Sequence, residues 1–111
     1  MAKARLRSFE EFWPFYLGQH RKPITRALHL LGTSAALALA VAALSTKRPG
    51  LLLAALGVAY GLAWVAHFFV ERNRPATFTY PLWSFAADWK MWWLALSGRL
   101  RRELRRHGIA V

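Results

Sequence analysis

The sequence predicts an all-α fold, an integral membrane hairpin of two transmembrane helices with a flanking helix on either side. Two apolar runs, 27–46 and 51–70, have the length of about 20 residues that crosses roughly 30 Å of hydrocarbon. Neither run shows the polar stripe that a helix in a soluble core carries. The intervening Lys47-Arg48-Pro49-Gly50 predicts a tight turn, because Pro and Gly interrupt helices. The 111 residues make a single membrane domain.

The basic residues indicate how the hairpin is oriented. Hydrophobic residues make up 56% of the chain, yet its formal net charge is +11. Six Lys and Arg precede the first run, two lie in the connection and eight follow the second run. By the positive-inside rule this asymmetry places both termini in the cytoplasm, as expected in a bacterial inner membrane. Topology and lipid thus explain the charge, and no nucleic-acid partner is expected. The alternative, a buried helix pair in a soluble bundle, is disfavoured because so short a chain could hardly cover two such helices.

Two flanking helices are expected at the membrane surface. Residues 8–18 begin with a capping serine and are rich in aromatic side chains, which is typical of an interfacial helix. Residues 81–106 predict a second helix, first Trp-rich and then Arg-rich. Asp88 and Lys90 favour an interfacial or re-entrant position for residues 82–97 over a third crossing, which would bury both charges. The Arg-rich end predicts contact with anionic lipid headgroups.

Small residues predict how the two long helices pack. Gly57 and Gly61 form a GxxxG pair, and a turn between Arg48 and Pro49 brings them to the depth of Ala40 and Ala36. We therefore expect these four residues to face each other across the hairpin. A homo-oligomer through a GxxxG surface is left open.

Histidines and carboxylates gather at the predicted cytoplasmic end. His29 and His67 lie at equal depth, His20 precedes the first run, Glu71 is one turn beyond His67, and Asp88 comes on the next segment. Ionisable groups in membrane helices are costly, which favours a functional role. The alternative is that the histidines are interfacial hydrogen-bonding groups and that Glu71 pairs with a nearby arginine.

Helical angles set a condition on any shared site. His29 lies on the face of Gly32, whereas His67 lies roughly 80–120° from the GxxxG face, beside Tyr60. The two histidines then meet only if the helices cross obliquely or a third helix completes the site. The chain has no cysteine. A set of histidines and carboxylates suits Fe, Zn, Mn or Cu, and with open positions it is typical of non-haem Fe(II) oxygenases.

Several motifs carry a resemblance to a known family over roughly residues 9–105. They are Tyr-x-x-x-His at Tyr16 and His20, Leu-His-x-x-Gly-Thr at 28–33, His-Phe-Phe-x-Glu-x-Asn-Arg-Pro-Ala-Thr at 67–77, and Asp-x-x-Met at 88–91. In these motifs the chain resembles the small bacterial members of the Mpo-like family, whose fungal members are 2-hydroxy fatty acid dioxygenases of the endoplasmic reticulum.

The resemblance implies an Fe(II)-dependent α-oxidation that shortens a 2-hydroxy fatty acid by one carbon. It implies that His20, His29 and His67 are iron ligands and catalytic residues, with Zn or Mn as other metals. Glu71 and Asp88 are candidate further ligands or groups that orient an imidazole.

The resemblance also implies a substrate site. Arg74, and after it Arg26 or Asn73, are candidates to hold the substrate carboxylate, with Tyr60 as a further contact. The acyl chain is expected along the apolar hairpin. The fungal enzymes are longer than this chain, so a shared metal site does not by itself imply a shared substrate. The alternative function is a non-catalytic inner-membrane protein that binds anionic lipid or a partner through its basic tail.

Overall fold

The computed structural model describes residues 5–110, and all the regular structure within this range is helical. The five α-helices are α1 (Phe9–Gly18), α2 (Pro23–Thr46), α3 (Gly50–Val65), α4 (Pro81–Leu96) and α5 (Leu100–Arg106). A π-helical turn, Ala66–Glu71, prolongs α3, and a 3-10 turn, Ala76–Phe78, precedes α4. The predicted all-α class is confirmed.

Two helix boundaries differ from the predicted ones. Helix α2 begins at Pro23 rather than at residue 27, because proline favours the first turn of a helix. The single helix predicted over 81–106 is two helices, α4 and α5. The break lies at Gly98, whose φ of 75° is in the left-handed region that ends helices.

The hairpin of α2 and α3 turns as predicted but packs through another face of α3. Gly32 lies so close to α3 that a Cβ built on it would stand 3.3 Å from the Cα of Ala59. Around Gly57 and Gly61, by contrast, no neighbouring atom lies within 4 Å of such a Cβ, so the predicted GxxxG contact is wrong. The contact uses a stripe of alanines at helical spacing instead, namely Ala55, Ala59, Ala63 and Ala66.

Two helices are long and apolar enough to cross a membrane, Pro23–Thr46 and Gly50–Glu71. Only 17% and 22% of their most apolar windows are buried within the chain, whereas the core helix of a soluble protein would be mostly buried. Most of the apolar surface of the hairpin is therefore left uncovered by the rest of the described chain.

The other helices build a compact aromatic core beside one end of the hairpin. Helix α1 buries Phe12, Trp13 and Tyr16 against α4 and α5, where Met91 and Leu104 are almost fully buried. The Nε1 of Trp92 donates a hydrogen bond to Ser34 Oγ over 3.0 Å and so ties α4 to α2. This core holds α1 and α4 over the end of the hairpin that carries the histidines.

Candidate metal centre

Three histidine side chains converge at that end of the hairpin. Nε2 of His29 lies 3.0 Å from Nε2 of His20 and 3.3 Å from Nε2 of His67. All three rings are buried, with at most 5% of their surface exposed. One nitrogen from each ring lies within 4.8 Å of the other two, so the three could hold a metal ion. The structure thus brings together the three histidines that the sequence singled out.

His20 is fixed by the short connection between α1 and α2. Its Nδ1 donates to the carbonyl of Tyr16, one helical turn earlier, over 2.7 Å. The guanidinium of Arg26 donates to the carbonyls of His20 and Arg21, each over 2.8 Å. The connection is therefore held from both sides, and the imidazole points across the top of α2 towards His29.

His67 reaches the site because it belongs to the alanine stripe. Ala59, Ala63 and His67 follow each other at intervals of four residues, so His67 lies on the α3 face that contacts α2. The helical angles place His67 away from the contact face of α3 only if Gly57 and Gly61 form that face. With the alanine face in contact, the two histidines meet directly.

The π-helical turn supplies the hydrogen-bond partner of His67. The carbonyl of His67 accepts from the N–H of Arg72 and from that of Asn73, the latter over 2.9 Å. Arg72 has a φ of 59°, and this left-handed residue turns the chain back towards the ring. Asn73 Oδ1 then accepts from Nδ1 of His67 over 2.7 Å, while its Nδ2 donates to the carbonyl of Gln19 over 3.1 Å.

Each ring has an oxygen near its outer nitrogen. His20 and His67 donate from Nδ1 as described, and Nδ1 of His29 lies 3.5 Å from Oδ1 of Asp88. The hydrogen-bonded oxygens place a proton on Nδ1 of His20 and of His67, which leaves a lone pair on the Nε2 of each. These two lone pairs are available to a metal ion or to a proton on Nε2 of His29. Metal-bound histidines nearly always carry such an oxygen partner on the other nitrogen.

The nitrogen spacing also fits a common metal ion. Two nitrogens about 2.1 Å from one ion lie about 3.0 Å apart at a right angle and about 3.4 Å apart at the tetrahedral angle. The two separations that involve His29, 3.0 and 3.3 Å, lie at and between these values, and all three nitrogens lie within 4.8 Å of one another. The three histidines could therefore hold a metal ion.

Burial shifts the pKa values of His20 and of the Asp88 carboxyl, and Asp88 accepts a hydrogen bond from Tyr16. Burial, followed by the neighbouring rings of His29 and His67, holds the pKa of His20 well below its usual value, so this ring is neutral. Burial raises the pKa of the Asp88 carboxyl to about 7, although the hydrogen bond from Tyr16 acts against that rise. The Tyr16 hydroxyl donates this bond to Asp88 Oδ1 over 2.5 Å. Tyr16 thus touches the cluster twice, through its carbonyl and through Asp88.

A cavity of about 380 Å³ opens from the histidine cluster into the hairpin. Its volume lies within the roughly 300–1,000 Å³ of typical ligand pockets. Its walls are mainly apolar residues of α2, α3 and α4. Besides the histidines and Asp88, the lining includes two tryptophans, Trp64 and Trp89, and five residues with hydroxyls, namely Tyr16, Thr33, Tyr60, Thr77 and Ser84. All three histidines line the cavity, so a molecule in this space would lie beside them.

A family model described as 2-hydroxy-palmitic acid dioxygenase Mpo1-like matches residues 6–100. The chain belongs to the Mpo1-like family. The resemblance inferred from the motifs is thereby confirmed, and the match covers the hairpin, the three histidines and the part of the aromatic core that α1 and α4 contribute. Neither a curated protein nor a solved structure matches this Mpo1-like chain.

The two carboxylates that were candidate ligands have different places in this Mpo1-like chain. Asp88 lines the cavity and lies beside His29, on the side of the ring away from the other histidines. Glu71 turns away, and its Oε2 accepts from the backbone N–H of Lys22 over 2.6 Å, at the start of α2. Among the described residues, the group that could hold a metal contains neither carboxylate.

The four candidate substrate residues are likewise dispersed. Tyr60 lines the cavity, but Arg26, Asn73 and Arg74 do not. Arg26 holds the connection at His20, and Asn73 holds the ring of His67. The guanidinium of Arg74 lies 5.3 Å from the ring centre of Phe78, on the outer surface.

Three residues at this site have no role predicted from the sequence. Tyr16 belongs to the Tyr-x-x-x-His motif, and its position one helical turn before His20 is a signal that it lies beside that ring. Thr77 and Ser84 share a hydrogen bond of 3.0 Å between their hydroxyls at the cavity wall. They come from different elements, and no spacing in the sequence relates them.

Proposed function

We propose that this protein is a membrane-embedded, Fe(II)-dependent dioxygenase that shortens 2-hydroxy fatty acids by one carbon. One observation carries the proposal: three buried histidines converge beside a largely apolar cavity. A polar, metal-seeking site at the head of an apolar space matches a substrate with a polar head and an apolar tail. Membership of the Mpo1-like family supports the same reaction.

Iron is the metal that best suits the proposed reaction, because the reaction uses dioxygen. Imidazole ligands suit Fe as well as Zn, so Zn and Mn are the other metals that we consider. His20, His29 and His67 would hold the ion, and bound Fe(II) would supply the means of using dioxygen. Asn73, Asp88 and the Tyr16 carbonyl would keep the three rings turned towards it.

The overall reaction balances with dioxygen as the oxidant. C1 of the 2-hydroxy acid leaves as carbon dioxide, and C2 becomes the carboxyl carbon of the shorter acid. These two carbons lose four electrons in total, which reduce the dioxygen, and one water molecule forms. No other reductant is needed.

The substrate's polar head would lie among the histidines and the hydroxyls. No Lys or Arg of the described chain lines the cavity, so we no longer assign the carboxylate to Arg74 or Arg26. The hydroxyls of Tyr60, Thr77 and Ser84 remain as hydrogen-bonding groups for the head. The apolar wall would take the acyl chain and exclude water from it.

The uncovered apolar surface supports a membrane location. We place α2 and α3 across the bilayer, with the histidines and both termini on the cytoplasmic side of a bacterial inner membrane. Helices α1 and α4 would then lie at the membrane surface. Four exposed arginines of α5, at 101, 102, 105 and 106, would contact anionic headgroups.

Product analysis tests the reaction. Purified protein loaded with Fe(II) should convert 2-hydroxypalmitate and dioxygen into pentadecanoate, detected by mass spectrometry. His67→Ala should yield none, whereas His107→Ala, which lies outside the cluster, should match the wild type. Equal pentadecanoate formation by wild type and His67→Ala would refute the assignment.

The second candidate is a non-catalytic protein that binds anionic lipid through α5, favoured by the exposed arginines. It predicts that replacing these four arginines by Gln abolishes function in cells while the histidine variants remain active. Under the dioxygenase proposal the outcome is reversed.

A further inference from the structure

We propose that Ala36 and Ala40 of α2 set the length of acyl chain that the cavity accepts. The inference rests on the proposed function only in naming the acyl chain as the ligand, and its test measures binding rather than turnover. Both residues line the cavity, and neither is fully buried.

The cavity follows the axis of α2 away from the histidines. His29, Thr33, Ala36 and Ala40 succeed one another along the lining at intervals of three or four residues. Eleven residues separate His29 from Ala40, which corresponds to about 16 Å along a helix. Half of the hydrocarbon thickness of a bilayer is about 15 Å. The cavity is therefore about as long as the acyl layer of one leaflet.

The closed and open parts of the cavity differ in what covers them. Beside the histidines, Ser84, Phe85 and Trp89 of α4 form a third wall. Farther along, only α2 and α3 contribute, and Leu37 and Leu56 are 37% and 52% exposed. Alanines at 36 and 40 keep this part open, because a larger side chain there would project into the furrow between the helices.

A larger side chain at Ala36 or Ala40 should shorten the longest acyl chain that the cavity accepts. The effect should be greater at the position nearer to the histidines. Each methylene group that enters an apolar site contributes about 0.8 kcal/mol, which is about a fourfold gain in affinity. In the wild type, affinity should rise with each added carbon until the chain reaches the end of the cavity. Ala40→Leu should stop this rise at a shorter chain, and Ala36→Leu at a shorter one still. Ala36 lies four residues, about 6 Å, nearer to the histidines.

A displacement series measures these limits. Full-length protein in detergent is loaded with the fluorescent fatty acid cis-parinarate, which is then displaced by saturated 2-hydroxy acids from 2-hydroxyoctanoate to 2-hydroxystearate. Ala38→Leu is the matched control, because Ala38 is exposed and lies outside the cavity lining. It adds the same bulk to the same helix and should keep the wild-type profile. The micelle contributes equally to all four proteins.

The expected result is a plateau in affinity that falls at progressively shorter acids in the order wild type, Ala40→Leu, Ala36→Leu. Short acids should bind all variants alike. A parallel loss at every length, or the same plateau in all variants, would overturn the inference, as would the absence of any displacement from the wild type.

Measuring iron content and pentadecanoate formation of the wild-type protein alongside the series separates this inference from the proposed function. Ordered plateaus together with a wild-type protein that binds no iron and forms no pentadecanoate would leave the length limit standing and refute the dioxygenase. Pentadecanoate formation by the wild type with the same plateau in all variants would refute the length limit and leave the dioxygenase standing.

Discussion

The two ends of the hairpin are built in different ways. At the histidine end, α2 buries polar side chains, among them Thr25, Arg26 and His29, beneath α1 and α4. At the turn end, apolar side chains face outward, and Leu44 and Leu53 are 79% and 74% exposed. The first end is organised by the chain's own hydrogen bonds and aromatic core. The second would be covered by lipid. Function should therefore depend on specific side-chain contacts at the histidine end, and only on the shape of the apolar surface at the turn end.

The largest expected effect comes from the middle ring of the cluster. His29→Ala removes the ring whose Nε2 lies 3.0 Å from that of His20 and 3.3 Å from that of His67. We expect metal affinity to fall by more than about 100-fold, beyond the range for loss of a supporting group. Isothermal titration with Fe(II) under anaerobic conditions measures this. His107→Ala, in the tail, should bind normally, and a His29→Ala protein that binds equally well would contradict the assignment.

A smaller loss of metal affinity is expected when the three histidines are kept and a residue that hydrogen-bonds to one of them is replaced. Asn73→Ala removes the acceptor for Nδ1 of His67, which should weaken metal binding by about 10–100-fold. Arg74→Ala is the matched control, because Arg74 is the next residue in the chain and its guanidinium lies over Phe78 and not at the histidine cluster. The same titration compares them. A larger effect of Arg74→Ala than of Asn73→Ala would restore the arginine to the site.

The contact between the helices gives the next prediction. Gly32→Leu forces bulk against Ala59 and should destabilise the folded state by about 1–3 kcal/mol, as overpacking does. Gly57→Leu meets open space and should leave stability almost unchanged. Unfolding in a detergent and denaturant series gives both values. A more harmful Gly57→Leu would return the contact to the GxxxG face.

The smallest effect is expected from a single hydroxyl. Tyr16→Phe leaves the backbone carbonyl and the ring beside His20 in place and removes only the hydrogen bond to Asp88. We expect a loss of about 0.5–1.5 kcal/mol in stability, the usual contribution of one hydrogen bond. The absorption spectrum of the Co(II)-substituted protein should also shift as His29 loses its fixed neighbour. An unchanged spectrum would show that Tyr16 does not position the ligands.

Sequence patterns predicted the elements better than they predicted their contacts. Run length and turn residues were enough for the hairpin, because membrane length and helix rise are fixed quantities. The contact face of α3 was predicted wrongly since nearly every residue of that helix is apolar, so hydropathy does not distinguish a helix-facing side from a lipid-facing one. Gly57 and Gly61 matched a motif, whereas the structure uses Ala59 and Ala63.

The positions of the candidate site residues could be predicted where they depend on depth in the hairpin. They could not be predicted where the backbone departs from a regular helix. The equal depth of His29 and His67 in the hairpin was enough to predict that they lie at the same end of it. The π-helical turn and the left-handed Arg72, which turn Asn73 back to His67, have no clear sequence signature. For the same reason the helical spacing predicted Glu71 on the face of His67, whereas its carboxylate accepts a hydrogen bond from Lys22 at the start of α2.

Metal analysis of the purified protein tests the central claim most directly. The protein is isolated anaerobically, and its metals are measured by mass spectrometry beside the His20→Ala, His29→Ala and His67→Ala variants. The account predicts about one iron per chain in the wild type and in His107→Ala, and almost none in the three variants. Full iron retention in those three variants, or a wild-type protein that binds no iron after reconstitution, would contradict it.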